Sequence, residues 1–88
     1  MFRMWVKLFA DNRLVGDTVI CDGSEDTRTH KVLSALDRAC RHFDLPGPIW
    51  LESTIRDFRE FAKCRFNKDS FVEQIDFDYM ELHVIDED

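Results

Sequence analysis

Apolar and polar residues alternate almost without a break in two stretches near opposite ends of the chain, Phe2–Ala10 and Ile75–Ile85. A period of two residues is typical of β-strands, in which successive side chains point to opposite faces of a sheet. The apolar residues predicted to face the core are Met4, Val6, Leu8, Met80, Leu82 and Val84. The second stretch lies close to the C-terminus, so its partner strand must come from earlier in the chain. Phe2–Ala10 is the comparable strand, and we therefore expect the two stretches to pair.

A β-hairpin is predicted at the start of the chain. Asp11 and Asn12 follow the first strand and tolerate the positive φ angles of a tight turn. The next stretch, Leu14–Cys21, is rich in β-branched residues and is predicted to be the second strand. A connection of two residues makes these strands antiparallel.

Between Thr29 and Phe43 the apolar residues recur with helical spacing. They form one stripe: Val32, Leu33, Leu36, Ala39, Cys40 and Phe43. Such a stripe predicts an α-helix that packs on the sheet. The helix should end at Leu45–Pro48, where two prolines surround a glycine.

The segment between this helix and the last strand has shorter patterns. Ile49–Leu51 is an apolar run that fits a buried strand, and Ser53 or Thr54 can cap a short second helix. The apolar residues of that helix are Ile55, Phe58, Phe61 and Ala62. Cys64–Phe66 is predicted to be a short extended piece.

These elements predict a single α+β domain over residues 1–88, with a mixed sheet and one main helix packed on it. The order of elements resembles the β-grasp fold of ubiquitin-like proteins. The local sequences most similar to those of that family are Met4–Lys7 in the first strand and Met80–Val84 in the last. The resemblance implies that the first and last strands lie parallel in the middle of the sheet. A ferredoxin-like α+β sandwich is the alternative fold.

Two features depart from the ubiquitin-like pattern. The chain has no C-terminal Gly-Gly tail, so we do not expect a conjugated modifier or a sulfur carrier. The segment Phe58–Ile75 is also longer than the family usually allows there. The local phrases Pro48–Leu51 and Ile75–Tyr79 resemble those of small uncharacterised bacterial proteins, a likeness that implies no activity.

The formal net charge is −6, and residues 69–88 carry eight acidic residues and no Lys or Arg. This balance argues against nucleic-acid binding, which needs a surplus of cations for the phosphates. No apolar stretch reaches the ~20 residues that span a bilayer, and no signal peptide is recognisable, so no membrane partner is expected. Three widely spaced cysteines do not suggest disulfides, and a cytoplasmic protein is therefore expected.

Patterns typical of metal centres and enzymes are weak, and we predict neither a metal nor another cofactor. The closest pair of metal-ligand types is Cys40 and His42, which point to different sides of a helix. Asp76 and Asp78 would point the same way on a strand, as paired carboxylates do in some acid/base sites. The sequence shows neither a phosphate-binding loop nor a positioned general base to accompany them. We therefore favour the interpretation that they form an acidic segment before the last strand.

Four cationic residues form a candidate basic patch: Arg56, Arg59, Lys63 and Arg65. Such a patch can take a phosphate, RNA or an acidic protein. We favour its neutralisation by the acidic end of this chain or of a second copy. Cys64 lies between two of these cations and is the best candidate for a reactive thiol, because positive charge favours the thiolate. A half-buried structural cysteine is nevertheless the favoured interpretation of Cys64.

The sheet face opposite the helix is the main candidate for a site. If the apolar set of each strand faces the core, then Trp5, Phe9, Tyr79 and His83 share the other face. An exposed patch of aromatic residues usually marks an interaction surface. In the alternative, the segment Phe58–Phe71 covers this face.

The leading hypothesis is a small cytoplasmic protein-interaction module, which binds a protein partner or dimerises through the aromatic face. The alternative is a small ligand-binding or enzymatic domain that uses Cys64, His83 or the Asp76 and Asp78 pair. An enzymatic activity is the less favoured of the two, because no catalytic motif is recognisable in the sequence.

Overall fold

The computed structural model describes residues 1–87. The chain forms four strands and two α-helices in the order β1 (Phe2–Ala10), β2 (Arg13–Asp22), α1 (Arg28–Phe43), α2 (Glu52–Phe61), β3 (Lys63–Asn67) and β4 (Tyr79–Asp86). A single 3₁₀ turn, Lys68–Ser70, follows β3. The α+β class predicted from the sequence is therefore confirmed.

The sheet has the order β2-β1-β4-β3, and each neighbouring pair is antiparallel. The pairing of the first and last strands in the middle of the sheet is confirmed. The prediction of a mixed sheet, in which these two strands are parallel as in the β-grasp fold, is wrong. The reason is that β3 runs in the same direction as β1 and β4 follows it as its antiparallel neighbour, so β4 enters beside β1 in the opposite direction. The order also differs from the β-α-β-β-α-β pattern of the ferredoxin-like alternative.

The prediction of a strand at Ile49–Leu51 is wrong, because these residues form a connection outside the sheet. Their position is fixed by packing, since the Trp50 ring makes edge-to-face contacts with Phe58 and Phe66 at centroid distances of 5.6 and 4.8 Å. The fourth strand is instead β3, which the sequence indicated only as a short extended piece. The expectation of one main helix is also incomplete, because α2 is a full helix of 10 residues.

The hairpin turn is confirmed, and the beginning of β4 holds it in place. Asp11 and Asn12 have φ angles of 52° and 63°, the left-handed conformation that a type I′ turn needs at both positions. The carboxylate of Asp78 accepts a hydrogen bond of 2.9 Å from the backbone N–H of Asp11. The backbone N–H of Asp78 donates to the carbonyl of Phe9 at 2.8 Å. Asp78 thus ties the turn to the last strand.

The long helix α1 matches its prediction closely. The side chain of Thr27 caps its N-terminus by accepting from the backbone N–H of His30, and Asp44 ends it in the left-handed conformation. Leu33 departs from the predicted stripe and is 47% exposed. It lies at the edge of the stripe and lines an open groove between the two helices together with Trp50 and Ile55.

The core lies between one face of the sheet and both helices. The six strand residues predicted to face it are all buried, and Phe58, Phe66 and Phe71 complete it from the segment that follows α1. Residues Ile75 and Phe77 are buried as well, although they precede β4. The apolar alternation therefore begins before the strand itself. Within residues 1–87 no helix is long and apolar enough to cross a membrane.

Candidate functional site

The candidate site is the sheet face that points away from both helices, which we call the outer face. Its members are Arg3, Trp5, Lys7 and Phe9 on β1, Asp17 and Val19 on β2, Tyr79, Glu81 and His83 on β4, and Lys63, Arg65 and Asn67 on β3. The alternative in which the segment Phe58–Phe71 covers this face is wrong. That segment places its buried aromatic rings in the core on the other side of the sheet.

The structure brings the four residues predicted to form the aromatic patch together on this face. Trp5 lies opposite His83, and Phe9 lies opposite Tyr79, in the pairing of β1 with β4. All four side chains are half-buried. The rings of Phe9 and Tyr79 are stacked, with centroids 5.0 Å apart and an angle of 19° between their planes.

A row of four charged residues crosses the outer face, one on each strand. Asp17, Lys7, Glu81 and Arg65 lie side by side in the strand order β2, β1, β4, β3. The ammonium of Lys7 is 2.8 Å from Oε1 of Glu81, and Nε of Arg65 is 3.3 Å from Oε2. The row therefore alternates acid and base across the sheet, and Glu81 receives a cation from each side.

Cations of this row also lie against the aromatic rings. The ammonium of Lys7 is 3.9 Å from the centre of the Trp5 ring, and the guanidinium of Arg65 is 4.6 Å from the centre of the Tyr79 ring. The indole Nε1–H of Trp5 donates to Asp17 at 2.9 Å. The patch is therefore a polar and aromatic network rather than a plain apolar surface.

Glu81 and His83 have perturbed acidities on this face. Burial alone would raise the pKa of Glu81, but the hydrogen bond and charge of Lys7, with the charge of Lys63, hold that pKa below its usual value. Burial lowers the pKa of His83, and the charges of Lys7 and Lys63 lower it further, against the opposing effect of Glu81. Both shifts favour an ionised Glu81 and a neutral imidazole.

The predicted basic patch is divided between two places in the fold. Arg56 and Arg59 lie on α2, whereas Lys63 and Arg65 lie on the outer face at β3. Lys63 lies beyond the helix, because α2 ends at Phe61. Of the four residues, Arg65 forms an ion pair with Glu81 from the acidic end of the chain.

Asp86 and Glu87 contact cations outside the predicted basic patch. Asp86 lies 3.9 Å from Arg3, and Glu87 lies 2.6 Å from Arg28. These two residues therefore pair with the first strand and with the first turn of α1.

Cys64 is not placed as a reactive thiol would be. Its side chain is buried on the core face, and burial, followed by the charges of Asp57 and Glu81, raises the pKa of the thiol to about 12. Its cationic sequence neighbours point to the opposite face, because side chains alternate along β3. The thiol of Cys40 is also buried, whereas Cys21 is exposed, and all three cysteines are free.

The residues of the predicted ligand-binding alternative do not converge on one point. Cys64 and His83 line the same open groove beside β3, with a volume of about 670 Å³. Asp76 and Asp78 lie before β4 and are not among the residues that line this groove. The part of the chain that the structure describes holds no cluster of three or more His, Cys, Asp or Glu side chains suited to a metal ion.

Comparison of the chain with protein-family models, with curated proteins and with solved structures finds no match.

Proposed function

We propose that this chain is a small cytoplasmic protein-interaction module and that the outer face is its binding surface, for a protein partner or a second copy. The observation that carries the proposal is the grouping of Trp5, Phe9, Tyr79 and His83 on a sheet face that neither helix covers. Tyr, Trp and Arg side chains dominate the binding energy of known interfaces, because they combine a large apolar area with a polar group.

The network on this face supports a protein partner because it is already ordered. The hydrogen bond from Trp5 to Asp17 and the contact of Lys7 with the Trp5 ring restrict the rotamers of these side chains before any partner arrives. Ordering flexible side chains at an interface costs about 0.5–1.5 kcal/mol each, so a fixed network lowers the cost of binding.

The same network disfavours single-stranded nucleic acid, whose bases would need free ring faces on the sheet. Phe9 and Tyr79 are stacked on each other, and the guanidinium of Arg65 lies over the Tyr79 ring. The acidic residues Asp17 and Glu81 in the charged row would also repel phosphates.

The experiment compares Trp5→Thr with Phe61→Thr. Both changes replace an aromatic residue, but Trp5 lies on the outer face and Phe61, which is 64% exposed, lies on α2. The measurements are solution mass by light scattering and capture of partners from native lysate, with circular dichroism to check folding. We expect Trp5→Thr to lower the mass or abolish capture while the fold is retained, and Phe61→Thr to change neither.

The reverse pattern, in which Phe61→Thr abolishes association and Trp5→Thr does not, would move the binding surface to the helix layer. Loss of folded structure in Trp5→Thr alone would show that Trp5 acts as a core residue, and the proposal would then be wrong.

A further inference from the structure

We propose that the occupant of the outer face is a second copy of this chain, related to the first by a twofold axis parallel to β1 and β4 and midway between them. This inference rests on the proposed function and names the partner of the same surface. It is carried by the alternation of charge along the row Asp17, Lys7, Glu81 and Arg65.

The symmetry of this row makes the outer face complementary to itself. In the strand order β2, β1, β4, β3 the row reads acid, base, acid, base. A twofold axis parallel to the central strands places the second copy opposite in reversed strand order, which reads base, acid, base, acid. Lys7 therefore faces Glu81 of the second copy, and Asp17 faces Arg65 of the second copy. A twofold interface uses the same patch on both subunits, so each contact occurs twice.

The central pairs of the rows on either side of the charged row also match under this axis. Trp5 and His83 form one row across β1 and β4, so the indole faces the imidazole of the second copy. Phe9 and Tyr79 form another such row, so the Phe9 ring faces the Tyr79 ring of the second copy. Arg3, which lies opposite Asp86 in the sheet, would face Asp86 of the second copy.

The same charges disfavour the other simple arrangement of two facing sheets, in which the twofold axis crosses the strands at the charged row. A twofold axis perpendicular to the strands would place β1 against β1 and β4 against β4 of the second copy. Lys7 would then face Lys7, and Glu81 would face Glu81. Like charges brought together at an interface cost several kcal/mol, whereas the parallel axis avoids every such contact in the charged row.

Little further desolvation is needed at the centre of this interface. The side chains of Lys7 and Glu81 are only 12% and 6% exposed in the single chain, so most of their water is already removed. Arg65, at the edge of the row, is 58% exposed and can turn toward Asp17 of the second copy. Aligned sheets pack at about −30°, which displaces the edge strands by a few Å, and this long side chain can span that displacement.

The size of the face indicates a weak dimer. Four strands of 9, 10, 5 and 8 residues, about 4.8 Å apart and with roughly 3.4 Å per residue, give roughly 500 Å² of flat surface per copy. Two such surfaces lie below the ~1,200 Å² typical of stable complexes, in the range of transient ones. Association is therefore expected between micromolar and millimolar concentrations of the chain.

The test exchanges the charges at the edge of the row. Asp17→Arg places two cations opposite each other at both symmetric contacts, and Arg65→Asp does the same with two anions. Sedimentation equilibrium should show that each variant alone has its dimer dissociation constant raised roughly tenfold or more. An equimolar mixture of the two variants restores both contacts, and its association should return to that of the unchanged chain. The control substitutions Glu73→Arg and Arg56→Asp lie outside the outer face and should leave the dissociation constant unchanged.

Circular dichroism of each variant checks that it folds, since Arg65→Asp places a carboxylate beside Glu81 within one chain. If that variant is unfolded, Arg3→Asp and Asp86→Arg supply the same exchange at residues that are each about half exposed. Failure of the mixture to restore association would overturn the twofold arrangement. An unchanged chain that stays monomeric at millimolar concentration would exclude the second copy, while loss of partner capture in Trp5→Thr would still support the proposed function.

Discussion

The ion pair between Lys7 and Glu81 should behave as a buried interaction although it lies on a sheet face that the helices do not cover. Lys7→Met removes the ammonium but keeps most of the apolar stem that lies against Trp5. The carboxylate of Glu81, whose side chain is 6% exposed, then loses its partner at 2.8 Å and keeps Arg65 at 3.3 Å and the charge of Lys63. The variant therefore leaves a largely desolvated carboxylate with only part of its compensating positive charge.

Two limits bracket the cost of this change. Exposed ion pairs contribute about 0–1 kcal/mol, whereas removing one member of a fully buried pair costs about 3–5 kcal/mol. Because Arg65 remains bonded to Glu81, we expect Lys7→Met to lower the free energy of unfolding by about 2 kcal/mol. Glu81→Gln keeps an acceptor for Lys7 and should cost about 1 kcal/mol. The double variant should cost less than the two single costs combined, with a coupling of about 1 kcal/mol.

The coupling is measured by urea unfolding of the four proteins, followed by circular dichroism at low micromolar concentration so that association does not contribute. Thermal unfolding gives a second reading, since 1 kcal/mol shifts the Tm of a domain of this size by about 4–8 °C. The matched control is the cycle of Arg41→Met and Asp37→Asn. That pair is 3.0 Å apart on α1, but its side chains are 79% and 60% exposed.

The control pair should couple by less than about 0.5 kcal/mol, as exposed pairs four residues apart on a helix do. A coupling between Lys7 and Glu81 no larger than that of the control would refute the reasoning. It would show that the charged row is solvated in the folded chain.

Two further predictions concern a helix end and a histidine. Asp44 ends α1 with a φ of 56°, so Asp44→Gly should raise the free energy of unfolding by about 0.5–1 kcal/mol in urea, and Asp44→Val should lower it. The pKa of His83 is lowered by burial in the folded chain, so the unfolded chain takes up this proton first as the pH falls. Stability should therefore decline as the pH falls from above 6.5, the ordinary value of the histidine pKa, toward the lower folded value. His83→Asn should lose that part of the decline, and an unchanged profile in this variant would contradict the stated environment of the imidazole.

The hairpin and the core-facing set were predictable because their signals are local. Asp11 and Asn12 accept positive φ angles by their own chemistry, and a period of two residues separates Val6 and Leu82 from their neighbours whatever lies around them. The direction of the last strand was not predictable in the same way. It depends on whether Lys63–Asn67 becomes a full strand after a second helix, and a five-residue segment carries little periodic signal.

The candidate site shows the same division between local and nonlocal signals. The grouping of Trp5 with His83 followed from alternation once the two strands were paired. The burial of Glu81 did not follow, because it depends on cations from two different strands. The cationic environment expected for Cys64 is wrong, because adjacent residues of a strand face opposite ways and its sequence neighbours are therefore not its spatial neighbours.

The central pairing of β1 with β4 has a consequence for how the chain acquires its structure. The hairpin of β1 and β2 can form as soon as it leaves the ribosome, but one edge of β1 stays unpaired until β4 has been made. Contacts of such long sequence separation slow folding, and an open apolar edge is prone to pair with other chains. The hydrogen bond from the backbone N–H of Asp11 to the carboxylate of Asp78 lies at the N-terminal end of β4, beside the stacked rings of Phe9 and Tyr79. During synthesis, therefore, one edge of β1 stays unpaired until nearly all of these 88 residues have been made.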